Sequence, residues 1–219
     1  EANLSDANLT KSDLYLADLS KADLTNANLS KANLAEVNFS EANLNGVDLS
    51  GLRLTKINFT GVDLSGLSFE KTNFFEVDLS EINLEGANLQ GADLRNNNLY
   101  KANLSNTNLF DADLRNTNLI EANLSGAYLK QARFGGADLT GVDLRQVELY
   151  GADLDGLDLS KLDYTKLNLS KLDLKGMDIS KIDLSEVDLK GAILQGVDLS
   201  KVDISKIDLS EVDLKGAIL

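Results

Sequence analysis

The sequence predicts an all-β solenoid, a coil of short parallel strands wound around a filled apolar core. Three observations carry that reading. A bulky apolar residue recurs at every fifth position from Leu4 to Leu219, 44 times, and is always Leu, Phe, Ile or Tyr. Two residues before each centre stands a mostly small or aliphatic side chain, as at Ala2, Ala7 and Val47. Between the two lies Asp or Asn in 37 of the 44 repeats.

The period selects the architecture by elimination. In an α-helix five residues advance about 500°, so successive centres rotate by about 140° and form no stripe. In a continuous strand an odd period puts successive centres on opposite faces. The pattern closes only if each repeat contains a corner. Three residues run extended, with the outer two pointing inward and the middle one outward, and two more turn the chain. Coils then stack about 4.8 Å apart through backbone ladders. The phase never slips over 1–219, so a single domain is expected. Because residue 1 is Glu and not Met, the chain reads as a piece of a longer protein.

Units such as Ala2-Asn3-Leu4-Ser5-Asp6, Ala22-Asp23-Leu24-Thr25-Asn26 and Ala92-Asp93-Leu94-Arg95-Asn96 resemble the A(D/N)Lxx consensus of the pentapeptide repeat proteins. The resemblance covers essentially the whole chain. It implies a right-handed quadrilateral parallel β-helix with four pentapeptides to a coil, hence about eleven coils and a rod of roughly 50 Å. The residues alone do not choose the number of sides, since Gly pairs separated by 20 and by 15 residues each occur six times.

Composition removes several function classes. Without Cys there is no disulfide framework or thiolate metal site, and without His the usual proton shuttle and commonest metal ligand are missing. No apolar run approaches the roughly 20 residues of a membrane span, and no signal peptide opens the chain. A cytoplasmic location without membrane insertion is therefore expected. A net charge of −14 disfavours direct binding to nucleic acid. Nothing breaks the repeat to form a pocket, and the many Asp and Ser residues fill consensus positions. A non-enzyme without cofactor or metal is expected.

The inner position before each centre falls into zones. It is small from Ala2 to Ala32, mostly bulky from Val37 to Ile82, small or Thr from Ala87 to Ala137 apart from Asn97, and bulky in 13 of 16 repeats from Val142 onward. Compensation of volume within one coil accounts for this. The outward position changes too. Of 27 such residues from Asn3 to Arg133 eight are acidic, and of 17 from Asp138 to Ile218 fourteen are. On a twenty-residue coil Asp143, Asp163, Asp183 and Asp203 form one column, and Asp138, Asp158, Asp178 and Asp198 another. Like charges about 4.8 Å apart repel by roughly 1 kcal/mol per pair in water, which Lys161, Lys181 and Lys201 partly offset. The glycine-rich nonapeptide of calcium-binding β-helices is absent. Ser or Thr fills 22 of the 43 sites after a centre, but interspersed Lys, Glu, Arg and aromatics leave no flat ice-binding face. Residues Asp178–Leu194 and Asp203–Leu219 are identical over 17 positions, and both end in Ala-Ile-Leu, which puts Ile193 and Ile218 at outward sites. A continuation or an end-to-end partner could cover them.

One further irregularity stands out from the repeat. Tyr100, Phe110, Ile120, Tyr128 and Tyr150 all occupy outward positions, as do Arg95, Arg115, Arg133 and Arg145. Aromatics with Arg are the usual make-up of a protein-partner hot spot. The primary functional expectation is a rigid acidic scaffold that displays side-chain ladders to a protein partner. The alternative comes from the resemblance, since some family members resemble B-DNA in size and charge and occupy the DNA site of a type II topoisomerase, which can confer quinolone resistance. The projecting loops or dimerising C-terminal end typical of those members are not visible here.

Overall fold

A computed structural model of the chain describes residues 2–144, 147, 149, 152–154, 156–157, 169–170, 174, 179, 184 and 187–219. Outward residues bridge in parallel to the residue twenty later, as Asn3 does to Asp23, Asn83 to Asn103 and Ile193 to Asp213. Twenty residues are four pentapeptides, so the register breaks the tie between the two glycine spacings. Among the described residues two segments are long enough to count as strands. They are β1 (Arg53–Thr55) and β2 (Asn73–Phe75), paired in parallel with Leu54 opposite Phe74. One 3₁₀ turn, Ile204–Lys206, is capped by Asp203, whose side chain accepts from the Ser205 N–H.

The corners have a common chemistry. The carbonyl of a centre accepts from the amide three residues on, as Leu4 does from Ala7 (3.0 Å). The residue two past the centre adopts positive φ, as at Asp6 (57°), Lys11 (60°) and Glu41 (57°). Positive φ at the third turn residue alone is the type II signature. No β-branched or aromatic residue occupies this position anywhere in the sequence, and 15 of the 16 glycines do, as a left-handed backbone requires. At Gly46 a Cβ would also lie 2.3 Å from Asn26 Oδ1 in the preceding coil, so that side chain would have to move. The outward Asp or Asn completes the corner by accepting from the amide two residues on, as Asn3 Oδ1 does from Ser5 (3.0 Å) and Asp48 from Ser50 (2.9 Å).

Asn adds a link that Asp cannot. Its amide donates to the outward residue one coil away, mostly the one below. One such run goes from Asn123 through Asn103 and Asn83 to Asp63 at 3.2, 3.0 and 2.9 Å. Asp only accepts, so it ends the run.

Both inner positions are buried in one continuous cluster from Leu19 to Leu199, with stacked Phe39 and Phe59 at 5.9 Å between rings. The coils at either end of the described structure are partly open, Leu4, Leu9 and Leu14 at one and Leu209 and Leu214 at the other. Buried polar residues at the inner position bond to backbone carbonyls. Thr72 Oγ1 donates to Leu49 O (2.8 Å), and Asn97 Nδ2 to Phe74 O (2.9 Å). The Phe74 carbonyl accepts no turn amide from Val77, which explains why Asn stands among alanines at 97.

The inter-coil ladder is not equally complete along the rod. From Leu99 to Leu119 the inter-coil ladder is closed, for example Leu99 N–H to Asn118 O (2.8 Å) and Asn103 N–H to Ile82 O (2.9 Å). In the bulky zone the amides of Phe59, Gly61 and Asp78 make none of the equivalent bonds among the described residues. A cleft of about 840 Å³ lined by Phe59, Gly61, Asp63, Asp78 and Glu81 opens there. The gaps do not follow inner volume alone, since the amides of Leu29, Lys31 and Leu34 beside Ala27 and Ala32 also lack these bonds among the described residues, while Leu49 and Leu64 beside Val47 and Val62 make them.

Candidate functional site

Positions twenty apart form columns along the coil, and the third outward column, Asp13 to Asp153, differs in composition from the other three. It carries Arg53, Asp93, Asp113 and Arg133 at the outward position and Phe75, Arg95 and Arg115 just past the centres. Four of the five arginines of the chain therefore share one column.

The Asp carboxylates orient the guanidiniums. Arg95 Nε and Nη2 donate to Asp93 Oδ1 and Oδ2 at 2.8 and 2.7 Å, and Arg115 makes the same fork to Asp113 at 2.8 and 2.6 Å. Asp113 is only 6% exposed. It also lies 3.6 Å from Arg95 Nε and 3.7 Å from Arg133 Nη2, so three guanidiniums converge on one carboxylate. Arg133 Nε is buried and has no acceptor among the described residues. Arg53 stacks over the ring of Phe75 at 5.4 Å.

The electrostatics follow from these contacts. The Arg95 fork holds the Asp93 carboxyl below its usual range, against a smaller opposing effect of burial. Burial pushes Asp113 upward, but the Arg115 hydrogen bonds and the Arg133 charge together outweigh it and leave the carboxyl lowered. The same bonds raise the guanidinium pKa of Arg95 and Arg115. Between Asn3 and Asp143 only one pair of outward acids lies twenty apart, Asp93 and Asp113, and an Arg stands two residues after each. Elsewhere in that span the residue stacked on an acid is Asn, Ser or Arg.

The remaining residues of the expected patch fall on flanking columns. Phe110 and Tyr128 stack at 6.2 Å and 11° on the preceding column, with Tyr128 37% exposed. Tyr100 and Ile120 share the following column, both half-buried. Lys101 Nζ sits 5.0 Å above the Tyr100 ring and 3.6 Å from Glu121. The structure thus brings Arg95, Arg115 and Arg133 together and sets the aromatics on either side as separate strips. Arg145 and Tyr150 lie outside the described residues. Phe75, 44% exposed, and Arg53 were not among the expected residues.

Eight copies of the family model for pentapeptide repeats match residues 2–41, 42–80, 78–116, 107–146, 168–205 and 182–219. The chain belongs to the pentapeptide repeat family. The fold of that family is a right-handed β-helix, in keeping with the parallel register. Similar solved structures include HetL of the cyanobacterium Nostoc, a pentapeptide repeat protein involved in heterocyst differentiation regulation. It is 28% identical over 100% of this chain and 89% of its own, with a TM-score of 0.31. A pentapeptide repeat protein of the Arabidopsis thaliana thylakoid lumen is 28% identical over 49% of this chain and 68% of its own, with a TM-score of 0.33. QnrB1, a plasmid-mediated fluoroquinolone resistance protein, is 19% identical over 89% and 92%, with a TM-score of 0.38. Among curated proteins no match was found.

Of the acidic columns in this pentapeptide repeat chain, Asp138, Asp143, Asp198 and Asp203 are described, and Asp158, Asp163, Asp178 and Asp183 lie outside the described residues. Asp138 pairs across coils with Asn118 and Asp198 with Ile218, which is 56% exposed. Asp203 accepts from Ser205 through Oγ (2.6 Å) and the amide (3.1 Å), and these bonds lower its pKa. Among the described residues no helix is long and apolar enough to cross a membrane, and no group of His, Cys, Asp or Glu is placed to hold a metal ion.

Proposed function

We propose that the chain is a non-enzymatic scaffold, a four-sided acidic rod of about eleven coils and roughly 50 Å that presents side-chain ladders to a protein partner. Membership of the pentapeptide repeat family supports an interaction role. The observation that carries the reading is the arginine–aspartate cluster with its flanking strips of aromatics. Its shifts all favour the charged forms of both partners. That suits recognition of charge and geometry, whereas general acid–base work needs a pKa near the working pH.

The test is capture from extracts of the source organism on immobilised chain, compared with an Arg95→Glu/Arg115→Glu/Tyr128→Ala variant whose folding is checked by circular dichroism. A protein retained by the wild type and lost by the variant is the expected result. Identical capture by both refutes the reading.

A second reading, mimicry of DNA toward a type II topoisomerase, is favoured by the net charge of −14. Spread over the rod this is one charge per roughly 3.6 Å, against one per about 1.7 Å for duplex DNA. The arginine column interrupts the acidic surface and speaks against it. A gyrase supercoiling assay decides, and no inhibition at micromolar chain refutes the mimic.

A further inference from the structure

We propose that the arginine column binds an acidic, extended protein segment laid along the coil axis. This rests on the scaffold reading and assigns the chemistry of its partner. From the coil of Arg53 to that of Arg133, the column and its corners hold five cations, Arg53, Lys56, Arg95, Arg115 and Arg133, against three acids, Glu76, Asp93 and Asp113. The net charge of this strip is +2, on a chain whose total is −14. Four coil steps of about 4.8 Å make the strip roughly 19 Å long, which about six residues of extended chain span.

Three features fit an acidic strand in particular. The forks to Asp93 and Asp113 hold the Arg95 and Arg115 side chains in place before any ligand arrives, which lowers the entropic cost of binding. Asp113 is shared among three guanidiniums, so their capacity for hydrogen bonds exceeds what one carboxylate can accept. Alternate residues of a strand face the same way about 6.6 Å apart, so three acids of a six-residue segment face the column while the others face solvent. Phe75 offers an apolar contact at one end. Duplex or single-stranded nucleic acid carries more charge per length than this short strip matches, and the acidic surface on either side repels it.

The experiment uses the full chain and a fluorescein-labelled peptide of eight alternating Asp and Thr residues, followed by anisotropy. The peptide of alternating Lys and Thr and a labelled oligothymidylate serve as competing classes. Binding of the acidic peptide alone is expected, weakening as NaCl rises. Arg95→Gln/Arg115→Gln lowers affinity about tenfold or more. If that variant fails to fold with Asp93 and Asp113 uncompensated, Arg53→Gln/Arg133→Gln decides, with the same expected loss. Lys21→Gln, on another column, leaves affinity unchanged. No binding of the acidic peptide, preferred binding of oligothymidylate, or an equal loss in Lys21→Gln overturns the proposal. Partner capture that depends on Arg95 and Arg115 without peptide binding overturns this inference alone. Peptide binding without any such capture overturns the scaffold reading.

Discussion

Replacing Asp113 by Ala tests whether the arginine cluster is held by a buried counter-charge. Its side chain is 8% exposed and accepts two bonds from the Arg115 fork, while Arg95 and Arg133 stand at 3.6 and 3.7 Å. Hydrogen bonds to charged groups contribute about 1.5–3 kcal/mol net. Here the arginines are 43–48% exposed and regain water when the carboxylate goes, so the full penalty of a stranded buried charge does not apply. The loss, with the added repulsion among three guanidiniums, comes to about 2–3 kcal/mol, or a Tm lower by roughly 4–12 °C for a chain of this length. Asp93→Ala, at a carboxylate 25% exposed, costs about 1 kcal/mol. Acid gives an independent handle. Both carboxyls are depressed in the fold, so the stability they add is present above the unfolded-state value and is lost as pH falls through the folded one. The wild type therefore weakens below about pH 4 more steeply than Asp113→Ala. Urea unfolding followed by circular dichroism measures both effects. An Asp113→Ala cost no larger than that of Asp93→Ala, or identical acid profiles, would refute the reasoning.

Three other outcomes follow from the geometry. Gly51→Ala, at φ +67° with open space around it, costs about 1 kcal/mol of left-handed strain, and Gly46→Ala costs more only by the displacement of the Asn26 side chain, whose Oδ1 would lie 2.3 Å from the new Cβ. Unfolding midpoints check this, and in an Asn26→Gly background the two costs become equal. Asn97→Ala restores the commonest inner residue of its zone yet destabilises by about 1 kcal/mol, because the Phe74 carbonyl loses its donor; a stabilised variant would mean that the unpaired Asn97 Oδ1 dominates. In hydrogen exchange the amides of Phe59, Gly61 and Asp78 exchange ahead of those of Leu99, Asn103 and Leu104, whose ladders are closed. Uniform protection along the chain would show that the open ladder beside the cleft does not expose these amides.

Much of the fold was legible because one beat carries two constraints, which residues point inward and where the chain turns. The coil length was not. The corners favour a left-handed residue on every column, so Gly46, Gly51, Gly61 and Gly136 serve four different columns and glycines recur at fifteen residues as often as at twenty. The site was half legible. Arg95 and Arg115 break the pattern and show in the sequence, while Asp93 and Asp113 occupy consensus positions and look like any other repeat. Arg53 and Phe75 become neighbours only through the register that pairs β1 with β2. Asn97 is intelligible only across an offset of 23 residues, where it meets the carbonyl of Phe74.

The columns also show how a repeat with an obligatory outward Asp or Asn avoids stacking charge on charge. In most of the described coils Asn alternates with Asp, so each carboxylate meets an amide donor one coil away, as Asp78 meets Asn98 (3.1 Å) and Asp63 meets Asn83 (2.9 Å). At Asp93 and Asp113 the amide is missing and guanidinium takes its place, with Arg95 reaching from the carboxylate of its own coil to that of the next. The two devices differ in what they leave over. An Asn–Asp link uses its donor inside the ladder, whereas a guanidinium has five donors and spends only some of them. A column stabilised by arginine is therefore also a column with donors still to place, and the same residues that allow two acids to stack make this strip the part of the surface best suited to a carboxylate-bearing partner.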